Sequence, residues 1–155
     1  MKKGKYMANG KTHCQFGRVT GIAATLGLNY YEGRPITFGE VAGSVFGTEL
    51  GYRLPDMLEP ATSPRHRSFF HSQVFAVGAA TLAGPAALQQ RERLLAWAEE
   101  FDAQARMAEG LEALWLYVKA FCCRLLAGFL VGAIVGYGSH LLLDALTPMG
   151  LPVLA

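Results

Sequence analysis

The chain has 155 residues, a net charge of +2 and a hydrophobic fraction of 52%, with a mean hydropathy of +0.23. That is enough chain for one domain with its own core, more apolar than an ordinary soluble domain and less so than a multispan transporter. The basic residues are scattered and no aromatic platform interleaves with them, which argues against a nucleic-acid-binding surface.

Lys2, Lys3, Lys5 and Lys11 open the chain. The apolar run of a cleaved signal is interrupted by Asn9, Lys11, His13, Gln15 and Arg18, so the start does not read as one. Residues 17–30 form a compact apolar segment closed by the turn-like Glu32-Gly33-Arg34-Pro35. A second segment, 37–52, carries Ala42, Gly43, Ser44 and Gly47, small residues that let helices approach closely. Pro55, Pro60 and Pro64 then predict an irregular loop. A third apolar segment, 69–88, is disturbed at its far end by Gly84-Pro85.

Residues 89–112 are amphipathic, with Leu94, Leu95, Trp97, Ala98 and Phe101 at helical spacing among charges. Six of the chain's 12 acids fall there (Glu92, Glu99, Glu100, Asp102, Glu109, Glu112). That excess argues against an anionic lipid surface and for a helical hairpin in the cytosol. A last apolar helix covers 111–146 and ends at Thr147-Pro148-Met149-Gly150. Cys14, Cys122 and Cys123 are odd in number, and the adjacent pair lacks the spacing of a thiolate zinc knuckle; they read as small buried hydrophobes.

These segments predict an all-α fold: a single domain over 1–155, a compact bundle of about four apolar helices with an amphipathic insert at 89–112. Most segments are shorter than the ~20 residues of a full membrane span, and a soluble bundle of very apolar helices is the alternative. The membrane is preferred because four such segments leave little polar surface to cover a soluble domain. Under the positive-inside rule the lysines keep the N-terminus cytoplasmic. The segments then run out, in, out and in, which brings His13, Asp56, Glu59, His66, His71, His140 and Asp144 to one cytoplasmic end.

The chain has four histidines, His13, His66, His71 and His140, each at the edge of an apolar segment. His140 and Asp144 are four apart and share one helix face, where they can grip one ion or hydrogen-bond each other. An unpaired ionisable pair in so apolar a helix would cost several kcal/mol. His66 and His71 face the same way only if loop turns to helix between them. Imidazole and carboxylate ligands suit zinc and manganese alike and exclude a structural thiolate site. More than four candidate ligands suggest an open or two-metal, catalytic arrangement. Haem is disfavoured, since aspartates are poor haem ligands.

The ordered set of an N-terminal histidine, Leu54-Pro55-Asp56, His66-Arg67-Ser68-Phe69-Phe70-His71-Ser72, and Gly136-Tyr137-Gly138-Ser139-His140 through Asp144 to Gly150 resembles the YdjM family. These are small bacterial inner-membrane proteins, LexA-regulated in some members and predicted to be metal-dependent hydrolases. The likeness runs from about His13 to Pro152, with the last two motifs the most specific. It implies metal-site roles for Asp56, His66, His71, His140 and Asp144. The family often has a second aspartate two residues after the first; Leu58 stands there, and Glu59 is the candidate replacement. The ligand order is also similar to that of zinc-dependent phospholipase C and the P1-type nucleases, without their downstream histidine and glutamate. That likeness implies a place for His13 at a second ion and for Arg67, or Arg65, against developing phosphate charge.

The sequence therefore predicts a membrane-bound metal-dependent hydrolase holding one or two divalent ions and acting on a phosphoester or lipid-type substrate at the cytoplasmic face. The alternative is a non-catalytic membrane metalloprotein with a structural ion.

Overall fold

A computed structural model describes residues 10–59, 70 and 72–146, without the side chains of 10–14 and 79. Every regular element among these residues is helical: α1 (Gly10–Tyr31), α2 (Phe38–Leu58), α3 (Gln73–Gly78), a π-helical turn (Ala79–Ala83), α4 (Gly84–Ala105) and α5 (Gly110–Ala145). The third, fourth and fifth of these follow without a break, so the chain forms four rods, as the all-α expectation has it.

Local chemistry sets the rod ends. Thr37 is extended, accepts the Glu40 amide on Oγ1 at 3.3 Å and donates that hydroxyl to the Glu40 carboxylate at 2.9 Å, an N-cap that starts α2. Gly33 and Gly110 take φ of 65° and 58° where α1 ends and α5 begins, a conformation that penalises any Cβ.

Three boundaries depart from the sequence reading. First, α1 begins at Gly10, so His13 lies within the helix and not ahead of it. Second, α2 runs through Pro55 to Leu58 where a loop was expected. Proline there forfeits only its own bond to the Gly51 carbonyl, in the last turns; its ring is buried and its carbonyl accepts the Glu59 amide at 2.9 Å. Asp56 therefore stands on a helix. Third, the 89–112 segment does not fold back as a separate insert. Its first part, to Ala105, continues the third rod. The π-helical turn ahead of Gly84-Pro85 widens the helix where the proline would otherwise clash, and Thr81 Oγ1 donates to the Val77 carbonyl at 2.8 Å within it.

The rods alternate in direction. Gly17 lies beside Thr48 and Ser139, Gly39 beside Arg124, and Gly51 beside Ala133, so α2 and α5 run parallel with α1 antiparallel to both. Asp102 pairs with Arg124 at 2.5 Å and Leu94 and Leu95 pack on Ala127, which sets α4 antiparallel to α5. α5 touches the other three rods.

The α2–α5 contact is built from glycine. A Cβ added to Gly43, Gly47 or Gly51 would run into the carbonyls of Leu125, Phe129 and Ala133, and one at Gly128, Gly132 or Gly136 into those of Glu40, Ser44 and Thr48. Two ridges at four-residue spacing thus interlock backbone to backbone, the close approach that small residues give helices in a membrane.

α5 is long and apolar enough to cross a membrane, and only 28% of its most apolar window is buried. An exposed apolar helix of this kind suits contact with lipid better than the core of a soluble bundle. Its 36 residues span about 54 Å, well beyond a ~30 Å hydrocarbon core. The α4–α5 hairpin thus projects past one end of the bundle, and that end is opposite to Asp56 and His140, so in a bundle that spans the two face opposite sides. Cys122, expected to be buried, is exposed on α5.

Candidate metal centre

The last turns of α2 and α5 bring together residues 84 positions apart in sequence only because the two helices are parallel and closely packed. His140 Nε2 lies 3.4 Å from Asp144 Oδ2, on the same helix, and 3.7 Å from Asp56 Oδ1 on α2. Both separations exceed the 2.7–3.2 Å of an N–H···O hydrogen bond. Two ligands of one tetrahedral zinc, at about 2.05 Å for nitrogen and about 2.1 Å for oxygen, stand about 3.4 Å apart. The donor types suit a divalent ion, and the His140–Asp144 spacing matches two ligands of one ion, while the His140–Asp56 spacing is wider.

Burial is uneven across the group. His140 and Asp144 are each 5% exposed, whereas the Asp56 side chain is 53% exposed. The centre is thus closed toward α5 and open beside Asp56. The three groups meet as two pairs sharing one imidazole; among the described residues no three His, Cys, Asp or Glu side chains close around one point. His66, Arg67 and His71 lie outside the described residues, and so does the side chain of His13. The helical register sets His13 one turn before Gly17, where an added Cβ would meet Ser139 Oγ at 3.3 Å.

Glu59, expected to supply a second carboxylate, receives the Phe70 amide on Oε1 at 3.1 Å. Tyr137 Oη donates to the carbonyl of the same residue at 2.5 Å. Both backbone groups of Phe70 are thus held, one by α2's C-cap residue and one by α5. Ser72 caps the third rod: its Oγ accepts the Phe75 amide at 3.1 Å. Tyr137 had been read only as part of a motif; its placement four residues after Ala133 and three before His140 was the available signal.

A second polar cluster, which the sequence reading missed, lies at the opposite end. Arg91 of α4 is 1% exposed and Glu40 of α2 2% exposed. Arg91 Nη1 donates to both oxygens of Glu32, at 2.7 and 2.8 Å, and Nη2 donates to Asn29 Oδ1 and to Glu40 Oε1. Arg34 adds contacts of 3.2 Å to Glu32 and to Glu99. The cluster joins α4 to the α1–α2 turn. Nothing in the sequence pairs Glu40 with Arg91.

No curated protein and no solved structure shows significant similarity to the chain. The model of one family, described as YdjM inner membrane protein, matches residues 7–155. That match spans both helices of the Asp56–His140–Asp144 group and the segment between them, and with it the chain belongs to the YdjM inner membrane protein family.

Proposed function

We propose that the protein is a membrane-bound metal-dependent hydrolase that holds one or two divalent ions, zinc or manganese, at the end of the bundle where α2 and α5 finish. In this reading Asp56, His140 and Asp144 form the core of the site, and His13, His66 and His71 complete it. The observation that carries it is the convergence of two carboxylates from different helices on one imidazole, Asp144 at 3.4 Å and Asp56 at 3.7 Å from His140 Nε2, the donor types of a zinc or manganese site.

When bound, such an ion supplies Lewis acidity and a water whose pKa falls toward ~7. The chain's residues divide the remaining work. Buried Asp144 shares a helix face with His140 and would hold the ion beside it. Half-exposed Asp56 leaves room for substrate on its side. Glu59 and Tyr137 hold the backbone of Phe70, and Glu59 is the further carboxylate assigned to catalysis beside Arg67. Arg67 stabilises charge on a phosphoester or lipid-type substrate. The lysines of the N-terminus favour a cytoplasmic site, which puts the α4–α5 hairpin on the far face.

A second reading, a non-catalytic metalloprotein whose ion staples α2 to α5, is favoured by the burial of His140 and Asp144. The exposure of Asp56 speaks for the first, since structural sites are closed and catalytic ones keep an open position.

Elemental analysis of the purified wild type and a His140→Ala/Asp144→Ala variant tests the proposal. One or two equivalents in the wild type and none in the variant are expected. A well-folded wild type without metal after reconstitution with zinc and manganese would sink it. Turnover of phosphoesters or lipids by the loaded wild type then separates the hydrolase from the structural metalloprotein.

A further inference from the structure

Beside the candidate centre runs a cavity of about 390 Å³, half open to the outside. Its size is within the ~300–1,000 Å³ typical of small-molecule sites. Its walls come from α2 (Leu54), the third rod (Phe75, Ala80) and α5 (Ala133, Tyr137, Leu141), and they are almost wholly hydrocarbon. Small residues create the space. Ala76, Ala80 and Ala83 line it from the third rod where the π-helical turn widens the backbone, and Gly138 lines it from α5.

Position gives the cavity its meaning. Leu141 follows His140 in sequence and Tyr137 precedes it by three residues, so cavity wall and candidate ligands occupy neighbouring rows of one helix. From Leu141 to Ala133 is eight residues, about 12 Å along the axis. The cavity thus extends from the level of His140 toward the middle of α5, parallel to the helix that crosses the membrane. Val77 and Leu82 of the third rod and Leu142 of α5, on the elements that form its walls, are exposed, so the cavity opens between elements that carry the apolar surface an inner-membrane protein turns to lipid.

We propose that this cavity takes one hydrocarbon chain of a membrane lipid, aligned with the bilayer normal, so that the lipid's polar head meets Asp56, His140 and Asp144. Resting on the hydrolase reading, this makes the substrate a chain-bearing amphiphile and not a soluble phosphoester. A polar occupant would strand its hydrogen-bonding groups against these walls. A bulk annular lipid would need no cavity beside the centre.

The test uses a palmitoyl lysophospholipid with a diazirine in its chain, incorporated with the full-length protein into lipid nanodiscs. After irradiation, labelled peptides are mapped by mass spectrometry, with and without excess unlabelled lysophospholipid. Two variants fill the cavity. Gly138→Leu is built where an added Cβ meets no atom within 4 Å, and Ala80→Phe enters from the third rod. Saturable labelling of peptides containing Ala76–Ala83 or Ala133–Leu141, competed in the wild type and lost in both variants, is expected. His140→Ala should keep that labelling, because the imidazole does not line the cavity. Labelling that rises linearly with probe, resists competition, or survives in both filled variants overturns the proposal. Metal content of the same samples reports the hydrolase reading separately: saturable labelling without metal keeps the chain site and removes the hydrolase.

Discussion

Replacing Gly136 with alanine should loosen the site without touching any of its ligands. The new Cβ would stand 2.6 Å from the Thr48 carbonyl oxygen, where ordinary contact begins at 3.4 Å, so α2 and α5 must part locally by the difference, about 0.8 Å. Gly136 is one turn from His140, and Thr48 is two turns from Asp56 on a stiff helix. The separation of Asp56 from His140, now 3.7 Å, then grows to as much as about 4.5 Å, further still from the ~3.4 Å between two ligands of one tetrahedral zinc. Overpacking costs roughly 1–3 kcal/mol, and alanine's helix preference over glycine returns about 1 kcal/mol. Stability should fall by no more than ~2 kcal/mol on those figures, while zinc affinity drops about 10–100-fold, as for lost orientation of a ligand. Gly27→Ala makes the same chemical change in open space and should leave zinc binding unaltered. Competition with a chromophoric chelator on detergent-purified protein measures both. If Gly136→Ala binds zinc as tightly as Gly27→Ala, helix packing does not set this site.

Arg91→Ala strands the buried Glu40 carboxylate, and removing one partner of a buried pair costs about 3–5 kcal/mol; thermal unfolding in detergent should show it, with partial recovery when Glu40→Gln is added, and no loss of stability would contradict the cluster's structural role. Ser72→Ala removes the cap of the third rod and should cost about 1 kcal/mol by the same measurement. In a background with the native cysteines replaced by serine, Met107→Cys at the hairpin and Met57→Cys beside Asp56 should react with a membrane-impermeant maleimide from opposite sides. The hairpin cysteine is expected to label in intact spheroplasts and the other only after lysis. Labelling of both from one side would refute a bundle that spans.

The helices were legible because each apolar run between turn signals is long enough for one, and the 111–146 reading differs from α5 by a single residue at either end. Two misreadings have local causes. Pro55 was read as a breaker, but near a C-terminus a proline forfeits a single hydrogen bond, which burial of the ring offsets. Residues 89–112 were set apart because polarity changes sharply after Leu88; in the structure the same rod leaves the apolar zone and continues, so composition changed while backbone geometry did not. The convergence of Asp56, His140 and Asp144 followed from alternating rod directions. What the sequence could not supply was the partner of each face. Gly43 and Gly47 announced a close approach without naming α5, and Arg91 looked like one charge among several on a solvated helix.

The glycine seam also bears on what an ion does to this fold. Gly43, Gly47 and Gly51 lock into α5 through backbone contacts made by the polypeptide alone, so Asp56 is delivered to His140 before any ligand arrives. Metal removal should then cost only the mass-action stabilisation of a bound ligand, about 2.7 kcal/mol when free metal is a hundredfold above Kd. Had the ion itself drawn α2 and α5 together, chelation would melt the bundle, as it does in small domains whose fold is bought by zinc. Circular dichroism of the zinc-loaded protein before and after a chelator separates these cases. A fully helical apo-protein with a modestly lowered melting point is expected. Loss of helix on chelation would make the ion part of the fold, and the glycine seam insufficient to form the site.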